Sequence, residues 1–127
     1  MDPADFLQGG TVGISDETYA VCRAETGHAD AFATVRDESG TTVVVDHDDV
    51  DGVDANEVEP GWRRLTFEME LPFELVGFLG AVATALADAD VSVFVVSAYA
   101  TDHVFVKEGD LDAAVQQLEG LGCVVAG

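Results

Sequence analysis

Positive charge is what this sequence has least of. Against 25 aspartates and glutamates stand only 5 lysines and arginines, with Lys107 the sole lysine, for a formal net charge of -20. Nucleic acid and anionic lipid would both be repelled by such a surface, so binding to a phosphate backbone or a membrane surface is excluded as the default role. Cysteine is nearly as scarce: Cys22 and Cys123 stand far apart with no CxxC spacing. That argues against a zinc site or a redox motif, and for two buried reduced thiols in a cytoplasmic protein. Long hydrophobic runs are missing too. The longest uncharged stretch, Leu75 to Ala87, is too short to span a bilayer and ends in Asp88 and Asp90. The opening MDPADFLQGG has neither the basic start nor the apolar core of a signal peptide. A soluble protein is expected.

What is present is a folding sequence of 127 residues, 48% apolar, with its carboxylates spread among valines and alanines. The length accommodates one ordinary domain or two very small ones. Closely spaced carboxylates repel each other far less when the Debye length falls to about 3 Å at 1 M salt. The composition is therefore that of a halophilic protein, which low salt should loosen.

From Gly61 onward the pattern is legible. WRRLTFEMEL alternates as a strand; Leu75, Phe78, Leu79, Val82 and Leu86 fall at helical spacing after Pro72, a residue suited to a first turn. VSVFVVSA is a β-branched run for a central strand, and HVFVK a second strand beyond the short link YATD. Asp110 can cap a helix with Leu111, Ala114, Val115, Leu118 and Leu121 on its apolar face, and Gly122 can end it before the short strand CVVA. The order βαββαβ predicts an α+β, ferredoxin-like fold, a four-stranded antiparallel sheet with both helices on one face.

Sliding the chain against itself by 62 residues lays Phe32–Val50 on Phe94–Asp112 without a gap, strand on strand and turn on turn. The chain reads as a duplication. Too few residues separate Ala20 from Phe32 for a full helix, so the first repeat has lost its first helix. DHDDVDGVDANEVEPG, acidic and turn-rich, reads as the link between halves. The division expected is a truncated repeat over 1–58 and a complete domain over 59–127.

The uncharged helix is the most telling feature of this acidic chain. Its small outer residues, Gly77, Gly80, Ala81, Thr84 and Ala85, suggest a covering layer from another domain or another copy. The loop entering that helix and the turn SAYATD should lie close together. Helix-start amides near Val76, Gly77 and Phe78 can hold a carboxylate, and Gly77 lets a ligand approach the backbone. Asp102 suits an ammonium or guanidinium group, with hydroxyls from Ser97 and Thr101. Such a pocket suits an amino acid.

Other constellations lead nowhere. Asp46, His47, Asp48, Asp49 and Asp51 miss two required ligands of a calcium loop and read as a solvated acidic loop. Glu68 and Glu70 share a strand face with no sign of a cleft. No GxSxG elbow occurs, and Asp102 and His103, being adjacent in a strand, point to opposite faces. Neither an enzyme, a metal site nor a cofactor is expected.

GWRRL (Gly61–Leu65), the long segment Leu71–Val115 and, in the first half, YAVCR (Tyr19–Arg23) together resemble the ACT domains of small stand-alone proteins related to the CASTOR arginine sensors and to aspartate-kinase regulatory domains. The resemblance implies two ACT-like repeats, the 1–58 segment being a truncated one. It also implies assembly of paired repeats, here as a homodimer, and an amino acid held at the interface between them. By position it implies ligand contacts from Phe73, Glu74, Val76, Gly77, Phe78 and Leu79, and from Ser97, Ala98, Tyr99, Thr101 and Asp102. The family's usual Asp-Phe-Ser before the helix reads Pro72, Phe73, Glu74 here, and its usual acid before Thr101 is Ala100. An amino-acid-binding regulatory module is thus the leading expectation, and an interaction or scaffold module without a ligand the alternative.

Overall fold

In a computed structural model describing residues 1–127, the elements in chain order are α1 (Pro3–Leu7), β1 (Thr11–Ile14), β2 (Tyr19–Ala24), β3 (Ala33–Asp37) and β4 (Gly40–Asp46). A 3-10 turn at His47–Gly52 leads to β5 (Ala55–Phe67), then α2 (Phe78–Asp88), β6 (Val93–Ser97), β7 (Asp102–Lys107), α3 (Leu111–Gly120) and β8 (Val124–Ala126). These form two compact units, Met1–Asp16 with Arg63–Gly127, and Glu17–Trp62.

In the first unit the order from Arg63 is the βαββαβ of the ferredoxin-like fold, the first strand being the second half of β5. Leu65 and Phe67 of β5 and Val104 and Val106 of β7 form one core with Phe78, Val82 and Leu86 of α2 and Ala114 and Leu118 of α3. Both helices therefore cover one sheet face. Gln117 Nε2 donates to the Ala85 carbonyl at 2.6 Å, fastening the helices together. The end of α3 follows from Gly122, whose φ of +98° favours glycine. There Gly122 N–H donates to the Glu119 carbonyl at 2.9 Å and Cys123 N–H to that of Leu118 at 3.1 Å, the paired bonds of a Schellman cap.

The sheet departs from the expected four antiparallel strands in one respect. β1 lies between β5 and β8, antiparallel to β5 (Val12 opposite Phe67) and parallel to β8 (Thr11 opposite Val124). Val12 is fully buried there, and Leu7 of α1 joins the same core. The compact units consequently do not follow the expected division into 1–58 and 59–127, because the first residues of the chain complete the C-terminal core.

The second unit has no α-helix. β2 pairs antiparallel with β4 (Cys22 opposite Val43) and with the first half of β5 (Cys22 opposite Val58), and β3 pairs with β4. Ala20, Cys22, Ala24, Val43 and Val45 make its small core, covered by Ala31, Val50 and Val53 from the connecting segments. The link from β2 to β3, residues 25–32, holds no helix. In the β3–β4 hairpin Asp37 faces Gly40, while in the β6–β7 hairpin Ser97 faces Asp102. A shift of 62 therefore superposes β4 on β7 but leaves β3 out of phase with β6 by two residues, the difference in turn length. Since the strand period is two, inward and outward faces still coincide.

Candidate functional site

At the end of the β6–β7 hairpin the chain turns through Ala98–Thr101, and two hydrogen bonds fix that turn against the outgoing end of β5. The Thr101 hydroxyl donates to the Phe67 carbonyl at 2.7 Å, and Leu71 N–H donates to the Ala100 carbonyl at 2.6 Å. Within the turn, Ala98 N–H donates to the Thr101 carbonyl at 2.9 Å. The segment entering α2 is thus tied to the segment leaving β6.

That entering segment is not the first turn of the helix expected from Leu75. Pro72 heads a separate turn, closed by Leu75 N–H on the Pro72 carbonyl at 3.0 Å, and α2 begins at Phe78. The break is Gly77, whose φ of +87° and ψ of 0° make it a left-handed N-cap with no side chain to offer. A β-carbon on Gly77 would meet only Pro3 Cγ, at 3.7 Å, so the glycine is required by its dihedral angle and not by close approach of anything to the backbone. The first helical bond runs from Ala81 N–H to the Gly77 carbonyl at 2.9 Å. Phe78, Leu79 and Gly80 therefore carry the N–H groups that no helical carbonyl accepts, two residues later than the Val76–Phe78 stretch expected from sequence.

Between the two segments lies an open cleft of about 280 Å³, within the unit that contains both helices. Phe73, Gly77, Phe78 and Leu79 line it from one side, Ser97, Ala98, Tyr99, Thr101 and Asp102 from the other. Glu74 and Val76 do not line it; Glu74 is exposed, and Val76 is 80% exposed. Leu71, Pro72, Leu75 and Gly80 also line the cleft, although none is among the ligand contacts expected by position. Leu75 reads as a core residue from its helical spacing, and Gly80 becomes a helix-start residue only once the helix begins at Phe78. The one charged group on the lining is Asp102, directly across the hairpin from Ser97.

Phe78, 4% exposed, forms the floor and meets Phe67 edge to face with centroids 5.0 Å apart. At the mouth, Phe73 and Tyr99 meet edge to face at 4.9 Å and 87°, yet they are 71% and 81% exposed. They join the two loops through an apolar contact that remains largely in water.

The outer side of α2 divides differently from the expectation. Ala85 is buried and Ala81 half-buried against the core, while Gly77, Gly80 and Thr84 are exposed. Asp102 and His103 separate as strand geometry requires: Asp102 reaches the cleft, whereas His103 Nδ1 lies 2.9 Å from the Thr66 hydroxyl, which also accepts from Arg64 at 3.2 Å. Burial, and then the Arg64 guanidinium, push the His103 pKa below its ordinary value against an opposing pull from Asp102. The Asp46 carboxylate accepts from Asp48 N–H at 2.9 Å, capping the 3-10 turn of the acidic stretch. Cys22 and Cys123 are free, and burial raises both thiol pKa values. No helix is long and apolar enough to cross a membrane.

The family model of the ACT domain matches residues 57–120, which include α2, the β6–β7 hairpin and the whole of α3. The chain belongs to the ACT-domain family. Among solved structures this ACT protein resembles one from Agrobacterium tumefaciens, 24% identical with a TM-score of 0.79, over 93% of this chain and 92% of that one. A Vibrio cholerae protein is 25% identical with a TM-score of 0.72, over 94% of each chain. The regulatory subunit of aspartate kinase from Thermus thermophilus shares the fold at 7% identity, with a TM-score of 0.67 over 88% of this chain and 95% of its own. A comparison with curated proteins finds no match.

Proposed function

We propose that this ACT protein is a cytoplasmic regulatory module that binds an amino acid in the cleft between the loop Phe73–Leu79 and the turn Ser97–Asp102. The observation that carries the reading is the opposition, across one small cleft, of an uncapped helix start and a single carboxylate. The Phe78–Gly80 amides suit the ligand's carboxylate and Asp102 suits its ammonium group. A volume of about 280 Å³ matches a ligand of amino-acid size, below the roughly 300–1,000 Å³ of pockets for drug-sized molecules. The role is binding and not catalysis: the Thr101 hydroxyl is engaged by the Phe67 carbonyl, and Asp102 and His103 act on opposite sides of β7.

The same reading makes the unit Glu17–Trp62 a truncated ACT-like repeat and the working form a homodimer. The exposed, uncharged outer side of α2 at Gly80 and Thr84 is where two chains of this charge approach with least repulsion. Thr84→Glu places a carboxylate there and should weaken pairing, read by light scattering at high salt; a wild type that is monomeric at every concentration overturns the dimer.

Calorimetry of wild type and Asp102→Asn against the twenty amino acids tests the site. Loss of the charge-assisted bond costs roughly 1.5–3 kcal/mol, about ten- to over a hundredfold in affinity. Equal affinities would move the site elsewhere. Failure of the wild type to bind any amino acid would favour the ligand-free interaction module, a reading supported by the exposure of Phe73, Val76 and Tyr99.

A further inference from the structure

Resting on the proposed site, we propose that the ligand is an α-amino acid with an apolar side chain, aliphatic or aromatic, selected by the Phe73–Tyr99 pair. Charge narrows the choice of ligand first. Asp102 is the only charged residue on the cleft lining, and an α-amino acid already brings one ammonium group to it. A lysine or arginine ligand brings a second cation, which would compete for the same carboxylate or lie unpaired beside Leu71, Leu75 and Leu79. An aspartate or glutamate ligand brings a second anion into a cleft with no lysine, arginine or histidine on its lining, in a chain of net charge -20. Neutral ligands remain.

Among neutral ligands the lining chooses again. A polar side chain needs donors and acceptors beyond those used by the ammonium and carboxylate groups, and the Thr101 hydroxyl is already donated to Phe67. Apart from the Ser97 hydroxyl and the Tyr99 phenol, the side chains left on the lining are apolar, with Leu71, Phe73, Leu75, Phe78 and Leu79 the largest. Phe73 and Tyr99, one from each loop, expose most of both rings at the mouth although the rest of the surface is dominated by carboxylates. Two aromatic rings held edge to face in water are a hydrophobic patch awaiting cover. An apolar ligand side chain laid against them removes that area from water and draws the two loops together.

The experiment is a thermal-shift screen of the twenty amino acids with the whole chain at near-molar KCl, followed by calorimetry. Leucine, isoleucine and phenylalanine should raise the midpoint most, and lysine, arginine and aspartate least. Tyr99→Ala and Phe73→Ala, exposed positions whose loss leaves the core intact, should each weaken phenylalanine about tenfold while leaving alanine, with its short side chain, nearly unchanged. A best ligand that is charged overturns the apolar class while sparing the site, as Asp102→Asn would still weaken it. Equal loss of phenylalanine and alanine in the aromatic variants overturns the selector. No shift with any amino acid overturns both this inference and the site on which it rests.

Discussion

The Thr101 hydroxyl donates to the Phe67 carbonyl at 2.7 Å, tying the turn that carries half of the candidate site to the strand end that carries the other. Thr101 comes from the β6–β7 hairpin, whereas Phe67 closes β5 and is fully buried. Together with the bond from Leu71 N–H to the Ala100 carbonyl, it fixes the turn beside the segment that enters α2.

Thr101→Val keeps the shape and removes the donor. A net loss of about 0.5–1.5 kcal/mol is expected, more where the Phe67 carbonyl finds no water in exchange. Chemical denaturation should show that loss. Ligand affinity should fall beyond what stability alone explains, since the turn then positions Ser97 and Asp102 less rigidly. Unchanged stability and unchanged affinity would show that the Leu71 N–H to Ala100 bond suffices to hold the turn.

Two glycines of the same helix start should respond with opposite signs. Gly77 has φ +87°, so Gly77→Ala forces a side-chain-bearing residue into the left-handed region at about 1–2 kcal/mol, although space is free around it. Gly80 lies within α2 with nothing within 4 Å of an added β-carbon, and Gly80→Ala should stabilise by up to roughly 1 kcal/mol through helix propensity. Thermal melts of the two variants decide the matter; equal effects would mean that the helix starts before Gly77.

Much of this arrangement is written locally and some of it is not. α2, β6, β7 and α3 follow from apolar spacing, because Val82 and Leu86, or Leu111, Ala114 and Leu118, repeat at the helical period regardless of distant partners. TVGI shows no such signal. It is four residues long, contains Gly13, and becomes a strand through Val12 meeting Phe67 and Thr11 meeting Val124, both far away in sequence. The cleft divides in the same way. Loops at strand ends and helix entries are recognisable, so Gly77, Ser97 and Asp102 are found, but the Pro72–Leu75 turn and the left-handed Gly77 reset the path between them. That is why Glu74 and Val76 fall outside the cleft while Leu71 and Leu75 fall inside.

His103 should give stability a specific dependence on pH. Its pKa in the folded chain is depressed by burial first and Arg64 second, so between that value and the unfolded value of roughly 6.5 the unfolded chain binds more protons. Stability contributed by the neutral imidazole is therefore present above about pH 6.5 and declines as the pH falls through the folded pKa. His103→Asn removes the titration. Denaturation midpoints measured downward from neutral pH should fall more steeply in wild type than in His103→Asn, and parallel slopes would show that His103 titrates alike in both states.

Salt supplies the last test, one that concerns the whole surface. With 25 acidic and 5 basic residues, few carboxylates can find a cationic partner: the ion pairs include Arg23 with Glu57 at 3.7 Å and Arg63 with Glu108 at 3.6 Å, and three of those four side chains are largely exposed. Exposed pairs of this kind contribute at most about 1 kcal/mol, too little to offset the mutual repulsion of the rest. That repulsion reaches about 10 Å at 0.1 M salt and about 3 Å at 1 M, and it is stronger in the compact chain than in the unfolded one. The melting midpoint should rise steeply from about 0.1 M to about 1 M KCl and more slowly beyond, where exclusion of salt from apolar surface takes over. Replacing exposed Asp48 and half-buried Asp49 by Asn relieves repulsion in the 3-10 turn and should raise the low-salt midpoint while leaving the high-salt midpoint nearly unchanged. A midpoint independent of KCl, in wild type and variant alike, would show that the acidic surface imposes no net cost on folding.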